Sequence, residues 1–495
     1  MSRAWPRRAC YKAGMQLDAA RCYRALRSRD RRFDGRFFVG VTTTGVYCRP
    51  VCPARTPNPA NVTFFACAAA AEAAGFRPCL RCRPETAPGT PAWNGAPAVV
   101  ERALRLLAHG ALDDAGVERL AERVGIGARH LRRLFCRYVG ASPLAVARTG
   151  RVHFARRLLD ETDLPMTRIA LAAGFGSIRQ FNHAFRETFR VAPNALRRRA
   201  AARPPGAGHV LRLQYRPPFD WTALADFLAL RATAGVESID AGGYRRTIAL
   251  GDATGWLCVR PDGDVLRLEV VLSASDRLFE VVTRVRRMLD LDADPVRIAA
   301  ELRRDPLLAA RVVRRPGLRL PGAWDPFECA VRAIVGQQVS VRAATTIAGR
   351  IAERFGRPIA TGDERLRVVA PDARALRDAP LETVGLTTAR ASAIRRLATR
   401  VDDGALALDG RMPADEVVRA LSALPGIGEW TAQYVALRAL GEPDAFPTGD
   451  LGLRRAAGNG AGPLSARALA VRAETWRPWR GYAALHLWTD EGERR

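Results

Sequence analysis

The sequence predicts a multidomain chain of four parts: a small α+β domain held by paired cysteines, an all-α domain with a double helix-turn-helix, a small α+β domain with an antiparallel sheet, and a mainly α domain around a helix-hairpin-helix turn. Three observations carry this. The 495 residues exceed what one hydrophobic core organises. Two stretches dense in Pro, Gly and Ala, 84–98 and 201–208, read as linkers. The hydrophobic period is helical before the second linker, alternates after His209, and is helical again from Trp324. The expected domains span 15–85, 99–203, 209–320 and 321–491.

The balance of 78 basic to 50 acidic residues gives a formal charge of +28, which points to a polyanionic partner, nucleic acid first. Lys12 is the only lysine, so nearly all of this charge is arginine. No run approaches the roughly 18 apolar residues that cross a bilayer, which argues against a membrane partner. Residues 1–14 lack the apolar core of a signal peptide, so a cytoplasmic, nucleoid-associated protein is expected, with Met15 a candidate start. In that reducing setting ten cysteines are candidates for metal ligation rather than for disulfides.

In the first domain Val39, Val41 and the threonines before Gly45 predict a strand and turn, and Ala66 to Gly75 a helix. Cys48 and Cys52 form one close pair and Cys79 and Cys82 a second. Two such pairs clip a tetrahedral ion from two sides, and four soft thiolates select zinc. So small a domain needs its metal to fold. The runs Thr43-Thr44-Gly45-Val46-Tyr47-Cys48-Arg49-Pro50-Val51-Cys52 and Gly75-Phe76-Arg77-Pro78-Cys79-Leu80-Arg81-Cys82 resemble the zinc domain of the Ada family. The resemblance implies that one zinc-bound thiolate, Cys48 by motif match, takes a methyl group from a DNA methylphosphotriester, with Cys52, Cys79 and Cys82 as the other ligands. Spacing alone does not choose among the four. Methylation removes one of the two net negative charges of such a site, which lowers repulsion from DNA. Cys10, Cys22, Cys67, Cys136, Cys258 and Cys329 have no partner at ligand spacing and read as core or incidental residues.

Between Val99 and Arg203 a pattern repeats about fifty positions apart. Leu120-Ala121 with Val124-Gly125 leads to Leu131 and Phe135, and Ile169-Ala170 with Ala173-Gly174 leads to Phe181 and Phe185. Each copy is a helix, a glycine turn and a second helix. Joined by a helix near Arg151 to Leu159, the two resemble the AraC-family DNA-binding domain. The second helix of each copy is expected in the major groove. Arg129, His130, Arg132 and Arg133 in the first, and Ser177, Arg179, Gln180 and Asn182 in the second, are the candidate DNA contacts. His109, His153 and His183 read as structural. As an activator, the protein would take RNA polymerase as a target.

After His209 the residues predict a helix over Trp221 to Ala232 and a hairpin turning at Asp262-Gly263. No catalytic constellation shows in 209–320, so this part reads as scaffold. Further on, Leu424-Pro425-Gly426-Ile427-Gly428-Glu429-Trp430-Thr431 reads as a hairpin whose glycines let backbone amides face a DNA phosphate at a helix start, with Asp450 beyond it at the entry of another helix. From His209 to Trp488 the chain resembles AlkA-type 3-methyladenine DNA glycosylases of the helix-hairpin-helix superfamily. The resemblance implies double-stranded DNA as substrate and Asp450 as the catalytic carboxylate. It implies Trp430, Tyr434 and Trp488 as the aromatic lining for a flipped base, and Gly426, Gly428 and Thr431 as the phosphate grip. Gln338 stands where relatives place an apolar wedge against the gap left by the base.

Glycosylases that also nick the backbone form a Schiff base with a lysine, and in related hairpin enzymes that lysine occupies the place of Trp430, so a monofunctional enzyme is expected. No cysteine follows Cys329, so no iron–sulfur cluster is expected, and no Pro-Cys-His-Arg motif marks a second alkyltransferase domain. The whole reads as a bacterial alkylation sensor, activator and base-excision enzyme in one chain. The alternative is a DNA-binding regulator whose last domain is inactive or prefers another base.

Overall fold

The computed structural model describes residues 17–88, 98–108, 116–197, 208–410, 412–458 and 462–493. Cys10, Lys12, Met15, His109 and most of both linkers lie outside them. The chain divides into two compact units, Met1–Arg203 with Ser275–Thr283, and Pro204–Ala274 with Arg284–Arg495. Among the described residues no helix is long and apolar enough to cross a membrane.

The first unit begins with α1 (Ala19–Ser28), a helix the sequence pattern did not single out; Asp18 caps it by accepting from the amides of Ala20 and Arg21. A four-stranded sheet follows in the order β3-β1-β2-β4, with β1 at Phe38–Val41, β2 at Val46–Cys48, β3 at Val62–Phe65 and β4 at Arg77–Pro78. The turn joining β1 to β2 closes at Gly45, whose φ of +64° suits glycine. Helix α2 (Ala68–Ala73) packs Ala68, Ala70 and Ala71 against Phe38, Tyr47 and Phe65.

The helical part comprises α3 (Ala98–Ala108), α4 (Gly116–Arg123), α5 (Ala128–Tyr138), α6 (Pro143–Glu161), α7 (Met166–Ala172), α8 (Ile178–Phe189) and α9 (Pro193–Leu196). Helices α4 and α5 form one helix-turn-helix and α7 and α8 the other. Gly125 and Gly174 turn the chain in the two copies with φ of +77° and +76°, values that disfavour any residue with a Cβ. The connecting helix α6 starts earlier than its apolar pattern suggests, because Ser142 caps it and Pro143 occupies its first position.

A buried polar cluster joins the sheet to α6. Tyr47, fully buried, donates to Glu72 at 2.8 Å, Thr149 donates to the other Glu72 oxygen at 2.7 Å, and His153 Nε2 lies 3.0 Å from both Glu72 and the Tyr47 hydroxyl. Burial alone would raise the Glu72 pKa, but the hydrogen bonds from His153, Thr149 and Tyr47 outweigh it and hold this carboxylate low. His153 is thus structural, as its sequence context indicated.

In the second unit β5 (His209–Gln214), β6 (Glu237–Asp240), β7 (Gly243–Leu250), β8 (Ala253–Asp262) and β9 (Val265–Leu272) form an antiparallel sheet in the order β5-β9-β8-β7-β6. The hairpin from β8 to β9 turns at Gly263-Asp264, one residue later than expected, since Asp262 still pairs with Val265. Helix α10 (Trp221–Ala229) precedes β6. Next come α11 (Leu278–Met288), whose residues up to Thr283 belong to the first unit, α12 (Pro295–Leu302), α13 (Pro306–Arg314), α14 (Pro326–Val335) and α15 (Val341–Phe355). The paired strands β10 (Arg357–Pro358) and β11 (Val368–Val369) lead to α16 (Ala373–Leu376), α17 (Thr388–Asp402), α18 (Ala414–Ser422), α19 (Glu429–Arg438), α20 (Leu451–Ala457), α21 (Ala466–Ala473) and α22 (Arg480–Glu493). One apolar core, including Ile334, Leu381, Ile394, Leu397, Leu421 and Val435, runs beneath the hairpin between α18 and α19 and fixes its base.

Candidate functional site

The hairpin glycines behave differently from one another. Gly426 has φ +90°, and a Cβ there would lie 2.8 Å from the Ala393 Cβ, so both backbone and space demand glycine. Gly428, expected to need the same freedom, has φ −83° and ψ 172°, open to any residue; a Cβ on it would meet no protein atom within 4 Å. Gly428 is the N-cap of α19 and brings no side-chain acceptor, so the first amides of that helix are left for an outside anion. The Thr431 side chain is buried and accepts from Gln337 Nε2 at 3.0 Å, so the phosphate-grip role expected for it gives way to bracing the hairpin.

Asp450 caps α20, accepting from the Leu453 amide at 2.9 Å, and Pro447 accepts from its own amide at 3.0 Å. The helix entry expected from Pro447-Thr448-Gly449 is present. Two indoles complete its surroundings: Trp430 Nε1 donates to Oδ2 at 2.9 Å and Trp488 Nε1 to Oδ1 at 3.1 Å. Both tryptophans therefore orient the carboxylate as well as present a ring, a role the sequence did not suggest. Trp430, Tyr434 and Arg438 recur every fourth residue along one face of α19. Trp430 stacks on Tyr434 at 5.4 Å between centroids, and Tyr434 meets Trp488 edge-on at 6.4 Å.

Trp430, Tyr434 and Trp488 line a cavity of about 730 Å³ with Asp450 in its wall. Its other wall was not foreseen: Phe227, Leu230 and Arg231, at the end of α10 and just beyond, line it from the part read as scaffold. The apolar pattern gave the helix but could not show which distant residues it faces. Gln338, placed in the base pocket by sequence, does not line the cavity. It is exposed on the turn between α14 and α15 in the left-handed region, φ +53°. Its neighbour Gln337 anchors that turn to the hairpin, donating to the Gly426 carbonyl at 2.9 Å as well as to Thr431, while Arg390 donates to the Gln337 carbonyl. A cavity of about 750 Å³ in the first unit, lined by Leu17, Tyr23, Phe64, Cys136 and Tyr138 among others, has no carboxylate in its wall and offers no comparable chemistry.

In the first unit Cys48, Cys52, Cys79 and Cys82 bring their sulfurs within 4.8 Å of one another. Zn–S bonds of about 2.3 Å would set tetrahedral sulfurs roughly 3.8 Å apart, so the cluster fits a zinc ion with small adjustment. Hydrogen bonds among the thiols split their titration, with Cys52 lowered to about 7 by Cys48 and Cys48 itself raised. Cys79 is the more accessible of the four; Cys48, Cys52 and Cys82 are buried. Arg49, bound to Asp34 and to Thr86 at 2.7 Å, gives its amide to Cys82 Sγ at 3.4 Å and braces the cluster. Cys22 and Cys67 are thiols raised to about 11 by burial, in keeping with core roles.

On α5 Arg129, His130, Arg132 and Arg133 are all exposed, but Arg132 meets Glu118 at 2.6 Å and Arg133 meets His130 at 3.2 Å. Arg179 and Gln180 are exposed on α8 and Asn182 is half-buried. Ser177 is the N-cap of α8 and spends its hydroxyl on the Gln180 amide at 3.2 Å.

A thiolate cluster, paired helix-turn-helix units and a hairpin beside a carboxylate-walled aromatic cavity define a DNA-repair protein with its own DNA-binding module. Family models agree along the chain: the metal binding domain of Ada at 21–85, a helix-turn-helix domain at 120–199, the AlkA N-terminal domain at 210–325 and the HhH-GPD superfamily base excision DNA repair protein at 331–480. The chain belongs to the family of bifunctional transcriptional activator/DNA repair enzymes of the AlkA type. It is 46% identical over 480 residues, 96% of its length and 97% of the relative's, to the "Probable bifunctional transcriptional activator/DNA repair enzyme AlkA" of Mycobacterium tuberculosis. It is 36% identical over 283 residues, 57% of its length and 97% of the relative's, to DNA-3-methyladenine glycosylase 2 of Escherichia coli. The solved 3-methyladenine DNA-glycosylase of Archaeoglobus fulgidus shares the fold, with a TM-score of 0.50 and 24% identity over 57% of this chain and 97% of that one. The protein is a DNA glycosylase joined to an Ada-type zinc-binding methyltransferase domain and a DNA-binding activator domain.

Proposed function

We propose that the second unit excises alkylated purines such as 3-methyladenine by hydrolysis alone, with Asp450 as the catalytic carboxylate. The observation that carries this is Asp450 held by two indole N–H groups and a helix amide in the wall of the aromatic cavity. A flipped lesion stacks on Trp430 and Tyr434, whose electron-rich faces favour a cationic base. As the C1′–N bond breaks, positive charge develops on the sugar and the Asp450 carboxylate stabilises it. Water then adds to C1′ and gives its proton to Asp450 or to solvent, and the alkylated base departs neutral because it was bound as a cation. Trp430 offers no amine, and Lys12 is the chain's only lysine, which supports release without strand cleavage. Gln338, exposed on its anchored turn, plugs the gap in the stack, and the first amides of α19 grip a phosphate.

In the first unit Cys48 accepts the methyl group of a methylphosphotriester; Cys48, Cys52, Cys79 and Cys82 would hold a zinc ion, which would keep their thiolates deprotonated. The Cys48 sulfur bonds to the methyl carbon, the carbon–oxygen bond breaks, and the phosphodiester leaves as an anion. Arg129, His130, Arg179, Gln180 and Asn182 contact promoter DNA, and RNA polymerase is the activator's target.

Release of 3-methyladenine from methylated DNA tests the first part: Asp450→Asn should lower the single-turnover rate by about 100-fold or more. Equal release by both proteins would refute the assignment. Intact-mass measurement after incubation with methylphosphotriester DNA tests the second, with one added methyl group expected on the wild type and none on Cys48→Ala.

A further inference from the structure

Two residues that flank the cysteine pairs reach across the first unit to one helix. Tyr47 precedes Cys48; its carbonyl accepts from the Cys79 amide at 3.0 Å, while its hydroxyl donates to Glu72 at 2.8 Å and lies 3.0 Å from His153 Nε2. Arg83 follows Cys82; its amide donates to the Cys79 carbonyl at 3.0 Å and closes that turn. The Arg83 side chain forms ion pairs with Glu85 at 3.0 Å and with Asp160 on α6. Each residue thus holds the second cysteine turn with its backbone and α6 with its side chain. Arg83 does so at φ +53°, a region that residues with a Cβ seldom adopt. A residue in that region is fixed by its surroundings, and for Arg83 these are two carboxylates that are almost fully buried.

On α6 the partners form a stripe. Thr149, His153, Arg156 and Asp160 recur at helical intervals, which places them on one face. Thr149 and His153 meet Glu72 on α2, and Arg156 pairs with Asp160 within α6. Elsewhere α6 packs through Val152, Phe154, Leu158 and Leu159, and a polar stripe in such a helix is costly to bury unless it is partnered. The partners it finds are the residues that frame the cysteine turns. The two cysteine pairs come from separate turns, so spacing fixes the sulfurs within a pair and leaves the placement of one pair against the other to the surroundings. We infer that Thr149, His153 and Asp160 are positioning residues for the metal centre: the helix that joins the two helix-turn-helix units holds the cysteine turns together, and zinc affinity belongs to the whole first unit rather than to the sheet that carries the ligands. This rests on the four-cysteine zinc site and adds the part of the chain that sets its affinity. Outer groups that orient metal ligands change metal affinity by about 10- to 100-fold when they are removed.

The zinc affinity of the full-length protein, measured by competition with a chromophoric chelator, tests this. Asp160→Asn keeps the shape of the side chain but takes its charge from Arg83 and Arg156, and zinc binding should weaken about tenfold or more. Arg83→Met should weaken it comparably, and the double variant no more than the stronger single, because both remove one ion pair. Phe135→Leu is the control: it loosens the core under the first helix-turn-helix without touching the stripe. It should lower the unfolding midpoint of the first unit and leave the zinc affinity of the folded protein unchanged. Wild-type affinity in Asp160→Asn, additive losses in the double variant, or an equal loss in Phe135→Leu would overturn the assignment. A wild type that binds no zinc would instead refute the four-cysteine site itself. If thermal unfolding shows that Asp160→Asn does not fold, Thr149→Val decides by the same comparison. It deletes the donor to Glu72 at the other end of the stripe, and zinc binding should weaken about threefold or more.

Discussion

Three donors converge on Asp450, and each indole can be removed alone. Trp430→Phe keeps an aromatic face against Tyr434 but deletes the bond to Oδ2. A hydrogen bond to a charged group is worth about 1.5–3 kcal/mol, so the single-turnover rate should fall roughly 10- to 100-fold while lesion binding changes less. Asp290 shows the opposite situation, a carboxylate held where ionisation is costly. Burial pushes its pKa up to about 6, although Tyr482 at 2.6 Å and the Leu320 amide at 3.1 Å donate to one oxygen. A raised acid pKa contributes stability below the usual value near 4 and loses it as pH rises through about 6. Asp290→Asn keeps an acceptor for both donors and suits the local φ of +51°. Its thermal stability relative to the wild type should therefore grow between pH 4 and pH 7, by no more than roughly 3 kcal/mol.

At the level of elements, the hairpin separates two uses of glycine. Gly426→Ala forces a Cβ toward Ala393 in a left-handed backbone and should cost about 1–2 kcal/mol, read as a lower unfolding midpoint of the second unit. Gly428→Ala meets no protein atom and should unfold like the wild type, yet bind undamaged duplex DNA less tightly, because the new methyl group stands where a phosphate approaches α19. The sequence showed two glycines around Ile427 and a helix beyond, enough to locate the hairpin. It could not show that only one is strained, since that depends on Ala393 on α17. The cysteine cluster was legible for the converse reason: its ligands come in two local pairs whose spacing is itself the signal. Phe227 and Arg231 were not legible as pocket residues, because their partners on α19 lie some two hundred positions along the chain, and an apolar helical stripe reads the same whether it meets core or ligand.

For the whole molecule, the formal charge of +28 implies DNA affinity that falls steeply with salt. Methyl transfer to Cys48 should shift that curve upward without much change in slope, since it removes negative charge from the protein and adds no phosphate contact; fluorescence anisotropy at several ionic strengths reads this directly. Stripping the metal with a strong chelator should unfold the sheet that carries the cysteines while base release by the second unit persists, measurable by circular dichroism and by the excision assay on one sample.

The Glu72 cluster has a consequence for ancestry. Its members are supplied from both sides of a Pro-rich stretch at which the chain looks divisible on paper: Tyr47 and Glu72 before it, Thr149 and His153 after it. A gene fusion cut at that stretch would leave Glu72 with Tyr47 alone and strip it of Thr149 and His153, so the cysteine-bearing and helix-turn-helix parts gain from being inherited together.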